Sequence, residues 1–87
     1  MSEAFVYLLR CGDGSLYCGW TSDVPRRFEQ HSAGKASSYT RSRLPVELVW
    51  SQAMASRSEA MREEARIKRL SRAEKLRLVG ASARTPH

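Results

Sequence analysis

The sequence has few of the residues that build disulfide frameworks or zinc sites. Its 87 residues include two cysteines and two histidines. Cys11 and Cys18 do not have metal-ligand spacing and only His31 and His87 could join them, so we expect reduced, partly buried thiols. Long apolar runs are also absent, since no stretch approaches the roughly 20 residues of a membrane-spanning helix. The N-terminus lacks the basic start of a signal peptide, so we expect a cytoplasmic protein without a membrane anchor.

Acidic residues are the minority among the charged side chains. Nine Asp and Glu stand against fifteen Lys and Arg, which gives a net charge of +6. This balance favours an anionic partner, either nucleic acid or an acidic membrane surface. A chain of this length buries one modest core, and no internal repeat, low-complexity run or linker divides it. We therefore predict a single domain over residues 1–80 and a flexible C-terminal tail over residues 81–87.

The first predicted element is a β-hairpin. Apolar strand formers occupy residues 5–9, a glycine-rich turn covers residues 12–15, and a second strand covers residues 16–19. Side chains alternate between the two faces of a strand. Tyr7 and Tyr17 therefore share a face for one parity of the hairpin register and lie on opposite faces for the other. The spacing alone leaves both registers open.

A helix is predicted directly after the hairpin. Asp23 can cap the free amides of its first turn, and Pro25 is tolerated in that turn. At about 100° per residue, Val24 and Phe28 mark the side of the helix that is expected to be buried. The hairpin and this helix together form the predicted frame of a site.

Two side chains of this helix are candidates for a site between helix and hairpin. Arg27 and His31 lie beside the predicted buried side, one turn apart, whereas Arg26 points nearly the opposite way. Arg27, and not Arg26, is therefore placed to reach the hairpin. The alternative is that both arginines are solvated surface charges.

The polar segment over residues 32–43 is predicted to be a loop. It combines Gly34 with several serines, and its basic side chains surround one aromatic ring. Such a set suits phosphate contacts and base stacking, although a mobile connecting loop with incidental charge is the alternative. The candidate nucleic-acid-binding residues are Lys35, Tyr39, Arg41 and Arg43 in this segment and Lys68 later in the chain.

The second half of the chain predicts one strand and two helices. The strand covers residues 46–50. Ser56 begins the spacing of a capping box, and the helix that it opens should run to about Leu70. Ser71 begins a second capping box, and the short basic helix that follows should stop at Gly80. The predicted fold is an α/β protein of the α+β type, in which about three helices flank a small three-stranded antiparallel sheet.

One carboxylate on the longer helix has an unusual predicted position. Projection at about 100° per residue puts Glu64 close to the middle of the buried arc and Glu63 nearer its edge. An unpaired carboxylate that faces a core costs several kcal/mol, so we expect Glu64 to meet a cation, a metal ion or strong donors. A salt bridge to a nearby Arg or Lys is the alternative. The other predicted members of the arc are Ala60, Met61, Ala65 and Ile67.

In their order along the chain these residues resemble the GIY-YIG nuclease family. Phe5-Val6-Tyr7 stands where the first tripeptide of the family would be, and Tyr17-Cys18-Gly19 stands where the second would be. The chain departs from these two tripeptides at three positions. Val6 and Cys18 each replace isoleucine with another apolar strand residue, and Phe5 replaces glycine. The chain also contains no asparagine, whereas many active members of the family carry one after the metal-binding glutamate.

The middle of the family pattern is matched closely. Gly19-Trp20-Thr21 is followed by Asp23-Val24 and then by Arg27 and His31, and Glu64 fills the metal-ligand position. The resemblance covers roughly residues 4–79. It is greatest to the small single-domain bacterial branch that is related to the nuclease domain of structure-specific endonucleases.

The resemblance implies a metal-dependent endonuclease that hydrolyses DNA phosphodiester bonds, with branched or flapped DNA as candidate substrates. It implies that Glu64 holds Mg²⁺ or Mn²⁺ and that Arg27 stabilises the negative charge of the transition state. Tyr7 would position or deprotonate the attacking water, Tyr17 would hydrogen-bond to water or phosphate, and His31 would steady Tyr7 or relay a proton. The resemblance also implies that the hairpin register brings the two tyrosines together.

Two other functions compete with this one. The first is a catalytically weak or inactive nucleic-acid-binding module that acts with a partner protein, since most relatives pair this domain with a separate binding domain. The second is a protein-interaction domain whose basic surface binds DNA only at low salt. The sequence leaves open the oligomeric state, the pathway, and whether RNA is also a substrate.

Overall fold

The computed structural model describes residues 4–83, including the side chains of residues 4–80. Within this range three strands form one antiparallel sheet in the order β2-β1-β3: β1 Ala4–Arg10, β2 Leu16–Thr21 and β3 Glu47–Met54. The same range contains four helices, α1 Val24–Ser32, α2 Ser38–Arg41, α3 Arg57–Lys68 and α4 Arg72–Ala83. The predicted α+β fold is confirmed, and α2 is the helix that the sequence pattern missed.

The hairpin register places both of its tyrosines on one face. Pairing of β1 with β2 sets Tyr7 opposite Gly19 and Leu9 opposite Tyr17. Directly paired residues share a face, as do residues two apart on one strand. Tyr7 and Tyr17 therefore lie on the same face of the sheet, which answers the question that the spacing left open.

The other face of the hairpin carries the main apolar core. Val6, Leu8 and Cys18 are buried there and pack with Ala60 and Ile67 of α3. Burial of this apolar surface is the main stabilising contribution to the fold. The helices α3 and α4 therefore cover the face opposite the tyrosines. The partly buried side chains that complete the core are Trp20, Val49, Trp50, Met54, Leu70, Leu78 and Val79.

The predicted helix starts are confirmed. Asp23 caps α1 by accepting a backbone N–H of the first turn at 3.1 Å. Ser56 Oγ accepts the Glu59 N–H at 3.2 Å at the start of α3. Before α4, the Ser71 N–H donates to Glu74 Oε1 at 2.9 Å and the Glu74 N–H donates to Ser71 Oγ at 3.2 Å. This reciprocal pair is a complete capping box.

The segment predicted as a loop contains a single helical turn, so that prediction is wrong over α2. Ser37 caps this turn, because its Oγ accepts the Tyr39 N–H at 3.1 Å. Serines are frequent in loops, but here one of them satisfies the free amide that a short helix exposes. The turn buries Thr40 completely against α1.

The predicted buried sides of α1 and α3 are partly wrong. Val24 and Phe28 of α1 are only half-buried, and the buried residue of that helix is His31. On α3, Met61 is 54% exposed and Ala65 is also exposed. The buried stripe of α3 is narrower than the projection suggested, because it rests on a small sheet and its flanking residues turn towards solvent.

Several element ends also differ from the prediction. β3 was predicted to end at residue 50 but pairs with β1 as far as Met54, because backbone pairing does not need apolar side chains. α3 ends at Lys68, before Leu70, whereas α4 passes through Gly80 and reaches Ala83. A single glycine inside a helix costs only about 1 kcal/mol relative to alanine. The rest of the predicted tail, residues 84–87, lies outside the described residues.

The two thiols are free, as the sequence predicted. Cys11 and Cys18 are both buried, and burial raises the pKa of both thiols, that of Cys18 to about 12. Neither is therefore a reactive thiolate at neutral pH. None of the helices in the described part of the chain has the length and apolar character needed to cross a membrane.

Candidate active site

A cleft of about 360 Å³ opens beside β2, which is an edge strand of the sheet. Its lining includes Tyr7 of β1, Tyr17 of β2, Arg27 of α1 and Glu64 of α3. These are four of the five side chains that the sequence suggested for catalysis. The fold therefore brings together residues that are up to 57 positions apart along the chain.

The carboxylate enters the cleft from the opposite layer of the protein. α3 packs on the core face of the sheet, whereas Tyr7 lies on the other face. Gly19 of the edge strand β2 also lines the cleft. Glu64 and Tyr7 therefore share one cleft beside β2, although they come from opposite layers.

The fifth residue, His31, lies behind Tyr7 in the protein interior. Tyr7 Oη and His31 Nε2 are 2.8 Å apart, and His31 Nδ1 is 2.8 Å from Thr40 Oγ1. The three residues are exposed by 3%, 1% and 0%, respectively. Hydrogen bonds shielded from water in this way are costly to break, since a buried polar group without a partner loses its solvation. A hydrogen-bonded chain thus leads from the cleft into the interior.

Burial controls the protonation of Tyr7 and His31. It raises the pKa of the Tyr7 phenol above its ordinary value, with Tyr17 adding to the effect and the Arg27 cation opposing it. Burial also lowers the pKa of the His31 imidazole, and Arg27 adds to that decrease. At neutral pH Tyr7 therefore keeps its proton and His31 is uncharged. Tyr7 can accept a proton from water only if it passes its own proton to His31.

Tyr17 is held in a stack of aromatic rings. Its ring meets the His31 ring edge-on with centroids 5.2 Å apart, and it stacks on Tyr39 with centroids 5.8 Å apart. The Arg43 guanidinium lies 3.8 Å from the centroid of the Tyr39 ring and also donates to the Asp13 carboxylate at 3.0 Å. Of the residues that the sequence suggested for nucleic-acid binding, Tyr39 thus packs against the candidate catalytic residue Tyr17, and Arg43 packs on Tyr39.

The remaining predicted nucleic-acid-binding residues lie outside the lining of the cleft. Lys35 and Arg41 are exposed and line a separate groove beside α2. Lys68 Nζ lies 3.5 Å from Glu64 Oε2, and both side chains are partly exposed. The alternative predicted for Glu64, a salt bridge to a nearby Arg or Lys, is therefore present as a pair with Lys68. This pair is long and partly solvated, so the interaction is weak.

The sequence pattern missed two residues of the site. Arg57, the first residue of α3, lines the cleft together with Glu64. The two residues are seven positions apart, a spacing that returns a helical side chain to nearly the same face, so the projection of α3 could have found Arg57. Thr40 had no such signal, because its position depends on α2. The other side chains that line the cleft are Trp20, Thr21 and Ser22.

The donor set of the cleft fits a hydrated divalent ion. Glu64 is the one carboxylate among the described residues that line it. Residues 4–83 contain no group of three His, Cys, Asp or Glu side chains that could hold a metal ion by themselves. Mg²⁺ keeps several water ligands and takes phosphate oxygens, so one carboxylate can suffice when substrate is present. This set suits Mg²⁺ or Mn²⁺ shared with a phosphate and does not suit a zinc ion, which needs more protein ligands.

Comparison with known proteins identifies similar chains of similar size. The sequence profile of the GIY-YIG catalytic domain matches residues 3–77. A UPF0213 protein of Streptococcus agalactiae is 52% identical over 73 residues, which cover 84% of this chain and 83% of that protein. A UPF0213 protein of Halobacterium salinarum is 53% identical over 70 residues, which cover 80% of this chain and 91% of that protein.

Two solution NMR structures share the fold. A UPF0213 protein of Bacillus halodurans has a TM-score of 0.58 and 49% sequence identity, and the match covers 90% of this chain and 83% of that one. A protein of E. faecalis has a TM-score of 0.63 and 33% identity, and the match covers 100% of this chain and 96% of that one. The similarity thus extends over nearly the full length of each pair.

Proposed function

Because this chain belongs to the GIY-YIG family of nucleases, we propose that it is a divalent-metal-dependent endonuclease that hydrolyses DNA phosphodiester bonds. The observation that carries the proposal is the convergence of Tyr7, Arg27 and Glu64 on one cleft, with His31 hydrogen-bonded to Tyr7. Attack on a phosphodiester needs activation of a water, neutralisation of phosphate charge and help for the leaving oxygen, and a hydroxyl, a permanent cation and a metal-binding carboxylate suit these tasks.

The proton of the attacking water leaves through Tyr7 and His31. The Tyr7 oxygen accepts this proton while its own hydroxyl proton moves to His31 Nε2 along the hydrogen bond whose heavy atoms are 2.8 Å apart. The water oxygen forms the new bond to phosphorus, the bond from phosphorus to the leaving sugar oxygen breaks, and that oxygen takes a proton from solvent in the cleft. The lowered pKa of His31 keeps its imidazole uncharged and ready to accept.

Two arginines bind the phosphate in this proposal. Arg27 faces the cleft from α1 and Arg57 faces it from α3. A guanidinium stays charged at all relevant pH values and matches phosphate oxygens with paired N–H donors. Arg27 would stabilise the charge that develops in the transition state. Arg57 would bind the scissile phosphate or the adjacent phosphate group of the DNA.

Glu64 would hold the divalent ion. When bound, this ion supplies positive charge at the scissile phosphate and assists departure of the leaving oxygen. Lys68 would have to give up its contact with the Glu64 carboxylate. The two groups are 3.5 Å apart and partly exposed, so breaking this contact costs little free energy.

The proposed substrates are branched or flapped DNA. The cleft lies at an open sheet edge, where a distorted backbone can approach. Lys35 and Arg41 would contact flanking phosphates from the groove beside α2. Such substrates suit a cytoplasmic role in DNA repair. A partner protein would add the affinity that a domain of this size lacks.

The second candidate is a binding module that does not cut. The observation in its favour is the Glu64–Lys68 ion pair, which satisfies the carboxylate without a metal ion. In that case metal would not affect binding, and loss of Arg27 would change affinity only modestly.

Cleavage assays with matched carboxylate variants test the proposal. Labelled duplex, single-stranded, flapped and branched DNA and single-stranded RNA are incubated with the protein, with and without Mg²⁺ or Mn²⁺. Glu64→Gln should abolish metal-dependent cuts, whereas Glu63→Gln should not. Glu63 is the adjacent carboxylate, its side chain is 27% exposed against 23% for Glu64, and it pairs with Arg66 instead of lining the cleft.

The same assays separate the two candidates. Cuts that persist in Glu64→Gln would come from a contaminating nuclease or from another site. Binding without cuts in any metal ion, with a preference for one DNA shape, would support the binding module and contradict the endonuclease.

A further inference from the structure

We propose that Thr40 is a positioning residue that fixes the tautomer of His31, so that His31 Nε2 always presents its lone pair to the Tyr7 hydroxyl. The inference deepens the proposed nuclease function and rests on it for its catalytic consequence. Its structural content, the position of one proton on a buried imidazole, can be measured without any cleavage. Neither the sequence pattern nor the family match assigns a role to Thr40.

The hydrogen-bond chain has one arrangement in which every donor finds an acceptor within the protein. The Tyr7 hydroxyl donates to His31 Nε2 at 2.8 Å, and the His31 Nδ1–H donates to Thr40 Oγ1 at 2.8 Å. The Thr40 hydroxyl then donates to the Ser37 carbonyl at 3.3 Å. Three donors meet three acceptors, and none of the buried side-chain nitrogens and oxygens in the described part of the chain lacks a partner.

The opposite arrangement fails at Tyr7. If Thr40 donated to Nδ1, then Nε2 would carry the proton and would donate to the Tyr7 oxygen. The Tyr7 hydroxyl proton would then have to point into the cleft, since His31 is its hydrogen-bond partner among the described residues. A tyrosine in that state offers a proton to the attacking water and cannot pass one to His31. The two tautomers therefore predict opposite chemistry at the same two side chains.

The short helix α2 explains why Thr40 can select one tautomer. Ser37 caps α2 with its side chain, and its carbonyl accepts the Thr40 hydroxyl while also accepting the Arg41 N–H at 2.9 Å. In the proposed arrangement this contact directs the hydroxyl proton away from His31. Thr40 is fully buried, so water cannot replace it as the partner of Nδ1. A hydroxyl acceptor held in this way fixes the imidazole orientation, as carbonyls and carboxylates do for other histidines.

NMR spectroscopy of the ¹⁵N-labelled protein tests the tautomer directly. Long-range ¹H–¹⁵N correlation spectra distinguish the protonated from the unprotonated ring nitrogen of a neutral histidine. The spectra are recorded on the metal-free protein near pH 8, and His87→Gln removes the signals of the other histidine. We expect His31 to be protonated at Nδ1 and unprotonated at Nε2. Protonation at Nε2 in the wild type would overturn the proposal, whether or not the protein cuts DNA.

Substitutions at Thr40 test its contribution. Thr40→Val removes the acceptor for Nδ1 at similar volume, and we expect a measurable population of the Nε2-protonated tautomer. Thr40→Ser keeps the hydroxyl and should restore the wild-type spectrum. An unchanged tautomer in folded Thr40→Val would contradict the proposal. If Thr40→Val does not fold, Thr40→Ser decides, because a serine variant with the wrong tautomer would also contradict it.

Cleavage kinetics then connect the tautomer to the proposed reaction. We expect Thr40→Val to lower kcat by about 10- to 100-fold with little change in KM, the range typical of partners that orient a reacting group. Thr40→Ser should recover most of this loss. A correct tautomer in a protein that does not cut would leave the Thr40 assignment standing and would refute only the nuclease function.

Discussion

Gly19 lies directly against the hydroxyl end of Tyr7. A Cβ atom on Gly19 would be 2.5 Å from Tyr7 Oη and 2.7 Å from Tyr7 Cζ. The paired positions of the two residues on neighbouring strands produce this contact. The glycine of the second tripeptide is therefore required for space, because only a residue without a side chain lets the phenol reach His31 across its strand.

Gly19→Ala should displace the Tyr7 ring and break its hydrogen bond to His31. Overpacking of this kind costs about 1–3 kcal/mol, so we expect the free energy of unfolding to fall by that amount and cleavage to be lost. Urea unfolding and the cleavage assay measure the two effects. Gly80→Ala is the control: apart from its chain neighbours and its own helix backbone, no atom of the described residues lies within 4 Å of the added Cβ, and replacing glycine in a helix should be neutral or stabilising. Wild-type cleavage by Gly19→Ala would show that the Tyr7 position is not critical.

Tyr7→Phe should abolish cleavage and leave the fold intact. The variant removes the hydroxyl that passes a proton to His31, and loss of general base catalysis lowers turnover by about 10²- to 10⁴-fold. The His31 acceptor is then buried without a partner, so we also expect a loss of about 1–3 kcal/mol in the free energy of unfolding. Single-turnover cleavage and thermal unfolding provide the measurements.

Tyr17→Phe is the matched comparison for Tyr7→Phe. Its ring contacts to His31 and Tyr39 would remain, so its stability should be close to wild type and its cleavage should fall less. If Tyr7→Phe cut at the wild-type rate, Tyr7 would have no part in activating the water.

Arg57→Ala should weaken DNA binding, whereas Arg27→Ala should mainly slow the chemical step. Arg57 shares the cleft with Glu64 and has only phosphate binding as its proposed role, whereas Arg27 lies close enough to Tyr7 to affect the pKa of its phenol. Kd and kcat from binding and single-turnover assays separate the two roles. Arg62→Ala removes a cation from the same helix outside the cleft and should change both constants little. Equal effects of Arg57→Ala and Arg62→Ala would indicate only a general loss of positive charge.

Stability should decrease as the pH falls below about 6.5, the ordinary pKa of histidine. Because the pKa of His31 is lowered in the folded protein, the unfolded chain binds a proton at a higher pH than the folded protein does. Protonation therefore lowers the free energy of unfolding as the pH falls from about 6.5 to the lowered pKa of His31. Above about pH 6.5 the contribution of neutral His31 to stability is fully present. Thermal unfolding from pH 8 to 5 measures this slope.

His31→Gln isolates the contribution of that residue to the pH slope. The tail histidine is present in both proteins, and the carboxylates with lowered pKa values, Asp13, Glu63 and Glu74, titrate at lower pH. We expect the slope between pH 6.5 and 5 to become shallower in the variant, although the variant is less stable throughout. Parallel curves would assign the slope to other groups.

Lys68→Met should increase the affinity of the cleft for a divalent ion. The Lys68 ammonium competes for the Glu64 carboxylate at 3.5 Å, and an exposed pair of this kind contributes about 0.2–1 kcal/mol. We therefore expect an increase of a few fold in Mn²⁺ affinity, measured from paramagnetic broadening of amide signals near residue 64. Arg69→Met, on the adjacent exposed position, is the control. Equal affinities in all three proteins would contradict competition between Lys68 and the ion for Glu64.

Local signals in the sequence determined most of the elements. The glycine turn and flanking strand formers fixed the hairpin, and Asp23, Ser56 and Ser71 fixed three helix starts, because capping and turn formation involve residues only a few positions apart. The ordered set of Tyr7, Tyr17, Arg27, His31 and Glu64 could also be selected from the sequence, since the family pattern preserves their order.

Burial and long-range contacts could not be read in the same way. The helical projection of α3 predicted that Met61 is buried, but Met61 is exposed in the structure. The reason is that the helix contacts the sheet along a narrower stripe than its composition suggests. α2 was missed because its stability depends on packing Thr40 against His31, nine residues earlier. Single-helix projections contain no information about what covers the helix.

The sequence by itself thus determined the identity and order of the candidate site residues and the local elements that carry them. Tertiary structure decided three relationships that residue spacing left open: the hairpin register that puts Tyr7 and Tyr17 on one face, the position of Glu64 in the cleft beside β2, and the contact of Thr40 with His31. The physical reason is that strand pairing and layer packing are set by burial summed over the whole chain. The hydrogen bond that selects one proton position on His31 exists only after that packing is complete.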